Sequence, residues 1–310
     1  VIDRDDVLTA NGRIAGHVRT TPMAEVADPA LPGVGWFKCE YMQRGGSFKL
    51  RGAFNRILSA RDDGTLDPEV GIVAASGGNA GLANALAAAE LGVPAHVFVP
   101  ETAPQPKVDK LRACGARLHQ VGTEYAHAFE ASQEHTARTG AIFCHAYDQP
   151  EIAAGAGTLA VEALRQSDDA IDTFVVAVGG GGLMAGVATA GGARVVGVEP
   201  TRIPTLRSAL EAGKPVDIEV GGIAADSLGA RRIGDIGFDA ATSSDVTSVL
   251  VPDDAIREAR TWLWNTYRIA LEYGAACAVA AIYSGAYTPS AGERVAVVLC
   301  GANTDVSDLA

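Results

Sequence analysis

The chain has 310 residues, with 37 acidic side chains against 25 lysines and arginines and a formal charge of -12; its pI is near 4.9. That length buries one large core or two medium ones, and the acidic balance excludes a nucleic-acid or anionic-membrane surface, since no basic run exceeds Arg231-Arg232. The most apolar stretch, Phe174 to Val178, stops at four glycines and is too short to span a bilayer. The start, Val1-Ile2-Asp3-Arg4-Asp5-Asp6, has neither an apolar core nor a basic leader, so no signal peptide is expected. Cys39, Cys114, Cys144, Cys277 and Cys300 show no metal-ligand spacing, and an odd, scattered set points to a reducing, cytoplasmic compartment.

In chain order, the first informative segment is Gly45-Gly46-Ser47-Phe48-Lys49-Leu50-Arg51-Gly52-Ala53. A lysine that serves as an amine nucleophile needs a partly desolvated pocket that lowers its pKa. Here the glycines let backbone approach closely, Phe48 supplies a flat apolar wall, and Arg51 is read as a brace. Ile72-Val73-Ala74-Ala75 reads as a buried strand, followed by a helix over 79–91, a stop at Gly92-Val93-Pro94 and a strand over 95–99. The rhythm continues with a helix over 107–114, a strand over 117–121, a helix over 124–138 and a strand over 142–144. Later strands are expected at 174–177, 195–198 and 295–299, with a helix after Pro252-Asp253-Asp254 in which Asp253 caps. Short apolar runs alternating with alanine-rich helical segments predict an α/β fold with mainly parallel sheets and helices on both faces. The ligand site then falls at strand carboxyl ends, between two sheets.

Three strand ends carry polar, glycine-rich turns. Ser76-Gly77-Gly78-Asn79-Ala80-Gly81 enters a helix, so its N–H groups favour an anion and the Asn79 amide addresses a phenolic or carbonyl oxygen. Gly179-Gly180-Gly181-Gly182-Leu183 has more glycine than a tight turn needs, and a phosphate held by successive N–H groups explains it. Cys300-Gly301-Ala302-Asn303 places a thiol after the last strand. None of the three is a dinucleotide or Walker pattern. The histidines show no metal-type spacing, and only His145 is placed near the cleft.

Together and in this order, the four segments resemble the serine/threonine dehydratase group of fold-type II pyridoxal-phosphate enzymes, whose two-domain architecture is like the tryptophan synthase β-subunit. The resemblance covers nearly the whole chain. It implies a Schiff base between Lys49 and pyridoxal 5'-phosphate, Phe48 against the ring, Asn79 at the ring's 3-hydroxyl, Gly179, Gly180, Gly181, Gly182 and Leu183 around the phosphate, and Cys300 facing the ring nitrogen. Ser76, Gly77, Gly78 and Asn79 would receive the substrate carboxylate. A small domain over 39–145 and a large cofactor-binding domain over 1–38 and 146–310 are implied, as is a homodimer acting on a small amino acid.

Departures from the family pattern sharpen the expectation. Gly77 and Ala80 stand where many relatives have serine and histidine, and Cys300 stands in place of serine, as in animal-type L-serine dehydratases. Gly77 supplies no proton to the second face of Cα, which disfavours a serine or aspartate racemase. Thr205 replaces an aspartate of the relatives' divalent site, leaving Glu199 and the Ile203 carbonyl, so no divalent metal is expected and a monovalent cation near Glu199 remains open. Ala156 replaces a usual glutamine with no evident consequence. The activity expected is deamination of L-serine or L-threonine to a 2-oxo acid and ammonia. A threo-3-hydroxyaspartate dehydratase, which needs an extra cation near Cβ, a racemase, and a non-catalytic binder are the rivals. Serine and threonine differ by one methyl, worth only ~1–3 kcal/mol of discrimination.

Overall fold

The computed structural model describes residues 1–309. Its ten strands are β1 (Met23–Glu25), β2 (Val34–Lys38), β3 (Ile72–Ala75), β4 (Ala95–Val99), β5 (Arg117–Gln120), β6 (Ile142–Phe143), β7 (Thr173–Ala177), β8 (Arg194–Pro200), β9 (Val246–Val251) and β10 (Val295–Val298). They form two sheets. The smaller has the order β5-β4-β3-β6 and is parallel throughout. The larger has the order β1-β2-β10-β7-β8-β9 and is parallel except for the β1–β2 pair.

Parallel neighbours need long crossovers, and helices supply them. Asn79–Leu91, Gln105–Ala113 and Tyr125–Thr139 follow β3, β4 and β5, and Gly182–Ala190 follows β7. With helices over both faces, the central strands are apolar along their whole length: every residue of β3, β7 and β10 is buried. The larger core runs through β7, β8 and β10 and the alanine-rich helix Tyr273–Tyr283. A second core gathers Leu50, Phe54, Ile57 and Leu58 of the helix Lys49–Asp62 against Ile72, Ala83 and Ala95.

The expected α/β architecture is therefore present; β1, β2 and β9 lie outside the strands expected from the sequence, and two further details differ. The helix after β4 begins at Gln105, two residues early, because Pro106 occupies its first turn, where a missing N–H costs nothing. Asp253 is the first residue of the helix Asp253–Tyr267 and not its cap; Pro252 holds the cap position, and the Asp253 carboxylate accepts the Ile223 N–H at 3.2 Å.

Four charged side chains are buried where the helix Lys49–Asp62 meets the larger sheet. Arg51 donates through Nε and Nη2 to the two oxygens of Glu40, each at 2.8 Å, and Nη2 also reaches Glu162 at 3.1 Å. Lys38 of β2 donates to Glu162 at 2.5 Å and to the Thr21 carbonyl at 3.0 Å. Two cations balance two carboxylates, and Arg51 lies two residues past Lys49, so the network fixes the start of that helix. Removing one partner strands a buried charge. Arg51→Met is therefore expected to cost about 3–5 kcal/mol of unfolding free energy in urea titration, against a small change for an exposed arginine such as Arg257.

Candidate active site

The lysine turn and the turn after β10 are stitched together by backbone. Gly45 and Gly46 both have positive φ, 77° and 76°, which only glycine adopts freely. Ser47 then forms an antiparallel bridge with Gly301. The Phe48 N–H donates to the Cys300 carbonyl at 3.0 Å, and the Ala302 N–H donates to the Gly46 carbonyl at 2.9 Å. Asn303 Nδ2 donates to the Gly45 carbonyl at 2.7 Å and to Asn79 Oδ1 at 2.8 Å. Three of the turns singled out in the sequence thus meet at one place. Lys49, half-buried at the head of its helix, donates Nζ to the Ala146 carbonyl at 2.6 Å and lies 4.9 Å from the Phe48 ring centroid. Burial lowers its ammonium pKa to about 8, with Cys300 and Glu272 pulling the other way.

Asn79 opens the helix after β3. Its Nδ2 donates to both oxygens of Glu272, at 2.9 and 3.0 Å, and the Glu272 N–H donates to the Gly301 carbonyl at 3.2 Å. Glu272 is 7% exposed. Burial raises its carboxyl to about 7, the Asn79 bond opposes the rise, and Asp226 adds to it. Cys300 is buried, and burial with Glu272 beside it pushes the thiol well above its ordinary range, so it stays neutral. In the turn before Asn79, Ser76 Oγ accepts the Gly78 N–H at 3.3 Å. No side chain caps the following helix, so its first N–H groups have no side-chain acceptor. A Cβ on Gly78 would meet nothing within 4 Å, whereas one on Gly77 would lie 3.4 Å from Val99.

The four-glycine loop packs against its neighbours too closely for side chains. A Cβ on Gly180 would lie 2.3–2.4 Å from the Tyr147 ring, one on Gly182 2.5 Å from the Tyr147 carbonyl, and one on Gly179 3.2 Å from Leu228. Gly181 has φ 89° and caps the helix Gly182–Ala190, which contains the buried Leu183, without a side-chain bond. Bare N–H groups at a helix start suit a phosphate. Behind the loop, Thr205 Oγ1 lies 2.5 Å from the Gly179 carbonyl and 3.0 Å from Glu199 Oε1. Glu199 also accepts the Leu206 and Arg207 N–H groups at 2.6 and 2.9 Å. Burial raises Glu199 to about 7. Among the described residues, no three His, Cys, Asp or Glu side chains are grouped to hold a metal.

Several residues of this place have no local signature. Glu272 stands one residue before an ordinary alanine-rich helix, and Tyr147 lies in a loop; only the fold brings them to Asn79 and Gly180. His145 does lie beside the cleft. Its Nδ1 accepts the Tyr147 and Asp148 N–H groups at 3.2 and 2.8 Å, and burial lowers its pKa, so the ring is neutral.

A half-buried amine, a half-buried amide bonded into the same seam and a glycine loop with bare helix-start N–H groups fit pyridoxal phosphate. Residues 14–301 match the family profile described as pyridoxal-phosphate dependent enzyme. The chain belongs to this family. Among its relatives, the L-threonine ammonia-lyase of Thermotoga maritima is 32% identical over 99% of this chain and 77% of its own length. The phenylserine dehydratase of Ralstonia pickettii is 34% identical over 99% and 95%. The structure of maize serine racemase superposes with a TM-score of 0.92 at 29% identity, covering 99% of this chain and 95% of that one. Pyridoxal phosphate, when bound, supplies an aldehyde for amine condensation and a ring that delocalises the electron pair left at a substrate Cα.

The raised carboxyl of Glu272 has a consequence for stability. Its native pKa of about 7 exceeds the ordinary 4.5, so its contribution is full below pH 4.5, declines as pH rises, and is lost above 7. Glu199 acts in the same sense. Glu272→Gln removes one of these two declines. In cofactor-free protein, the urea midpoint should fall less steeply between pH 5 and 7.5 for this variant than for the parent.

Proposed function

We propose that this pyridoxal-phosphate enzyme deaminates L-serine, L-threonine or both by β-elimination of water, releasing a 2-oxo acid and ammonia. The observation that carries the reading is Lys49: a half-buried amine, lowered to about 8 by burial and held at a seam shared by Asn79, Cys300 and Gly301. A group with a pKa near the working pH suits both attachment of a carbonyl and removal of a proton. In this scheme Lys49 carries the cofactor and serves as base at the substrate Cα. Phe48 would lie against the cofactor ring, Asn79 would address its 3-hydroxyl, Gly179 to Leu183 would hold the phosphate, and the neutral Cys300 thiol would face the ring nitrogen. Ser76, Gly77, Gly78 and the uncapped start of the Asn79 helix take the substrate carboxylate. Residues 39–145 form the smaller domain, and 1–38 with 146–310 the larger. Thr205 stands where relatives have an aspartate, which is the ground for turnover without a divalent metal.

Racemisation is the second reading, favoured by the likeness to maize serine racemase. It needs a proton donor on the far face of Cα, and Gly77 has no side chain to provide one. Pyruvate from L-serine and 2-oxobutanoate from L-threonine, each with equimolar ammonia, are the expected products of the holoenzyme. D-serine as the main product would replace this reading with the second. Lys49→Ala should lower kcat/KM about a thousandfold or more and remove covalently held cofactor from the denatured protein.

A further inference from the structure

We infer that the cleft selects β-hydroxy amino acids whose β-substituent carries no negative charge, and that Asp226 enforces this by engaging Lys107. The inference rests on the dehydratase reading above and narrows its substrate class.

Asp226 lies in the short helix Ala225–Leu228, placed between two parts of the site. On one side Leu228 backs Gly179, whose added Cβ would stand 3.2 Å from the Leu228 Cα. On the other, Ser227 Oγ accepts the Gly274 N–H at 3.1 Å, two residues past Glu272. Asp226 therefore sits at the rim between the phosphate cradle and the carboxyl that holds Asn79. Lys107 reaches it from the helix Gln105–Ala113, which belongs to the smaller sheet, and the two form an ion pair across the cleft. Asp226 raises the pKa of Glu272 and Lys107 lowers it, so both charges are felt inside the site.

The charges around a bound substrate follow from this placement. Glu272 and Asp226 are the carboxyls on this wall, and Lys49 is committed to the reaction. Lys107 is the cation facing this wall from the opposite side, and Asp226 already holds it. His145 is neutral, and Arg232 lies at the phosphate side, where it and Asp217 act on Tyr147. A carboxylate on Cβ would lose hydration beside two carboxyls and gain a cation only if Lys107 left Asp226. A hydrogen, methyl or phenyl group at Cβ requires no such exchange.

The test compares kcat/KM of the holoenzyme for L-threonine and L-threo-3-hydroxyaspartate in the parent, Asp226→Asn, and Asp226→Asn combined with Lys107→Met. Asp226 is 68% exposed, so its replacement leaves folding intact, which a thermal melt verifies. Freeing Lys107 should move the ratio at least about tenfold toward 3-hydroxyaspartate, mainly through its KM, and the second substitution should return the ratio to the parent value. A ratio unmoved by Asp226→Asn overturns the inference and leaves the dehydratase reading standing; a parent enzyme that already prefers 3-hydroxyaspartate overturns the inference and replaces L-serine and L-threonine with that rival substrate. No 2-oxo acid from any substrate, L-serine included, overturns both.

Discussion

The pairing of the lysine turn with the turn after β10 is the constraint on which the cleft depends. Ser47, Phe48 and Gly46 bond to Gly301, Cys300 and Ala302 through main chain alone, so side-chain identity is left free for chemistry. The bridge joins a segment that leads into the smaller sheet to the central part of the larger one. Lys49 is thereby carried into the gap between the sheets, where water is partly excluded and its amine loses its ordinary basicity. Asn303 extends the same seam to Asn79, and Glu272 closes it from behind.

Two kinds of buried charge serve this arrangement differently. The Arg51–Glu40–Glu162–Lys38 group is balanced, and each member is held by an opposite charge. Such a group resists rearrangement, because any displacement leaves an unpaired ion in a low-dielectric interior. Glu272 and Glu199 are satisfied instead by amide, hydroxyl and backbone donors. Neutral donors stabilise a carboxylate less than a cation does, so burial prevails and both titrate near neutrality. Rigid scaffold and responsive lining are thus distinguished by the charge of the partner, although all these carboxylates are buried.

What could be read in advance follows the same physical division. The lysine turn and the glycine loop were legible because backbone demands leave a local mark: adjacent glycines have few other reasons to persist. β3, β7 and β10 were legible because strands covered on both faces are continuously apolar. β9 is half-buried along most of its length and gives no such run. Glu272 and Tyr147 were invisible, since an acidic residue before a helix and an aromatic in a loop are common everywhere. His96, His119 and His135 make the point again: scattered in sequence, they gather where β4 and β5 pair, with His96 Nδ1 2.9 Å from His119 Nε2 and the His96 and His135 rings 4.4 Å apart. Register and crossover geometry, not spacing along the chain, put them there.

The seam also imposes an order on assembly. Gly45 and Asn303, which it joins, are separated by 258 positions. At translation rates of about 5–20 residues per second, roughly 10–50 s pass between their synthesis. During that time β3 to β6 can pair and bury their own core, because all four strands lie between Ile72 and Phe143. The Lys49 turn cannot be completed, since the strand it bridges has not left the ribosome. A nascent chain therefore holds a folded smaller sheet and an open amine, and the cofactor pocket closes only as the final strand is laid down.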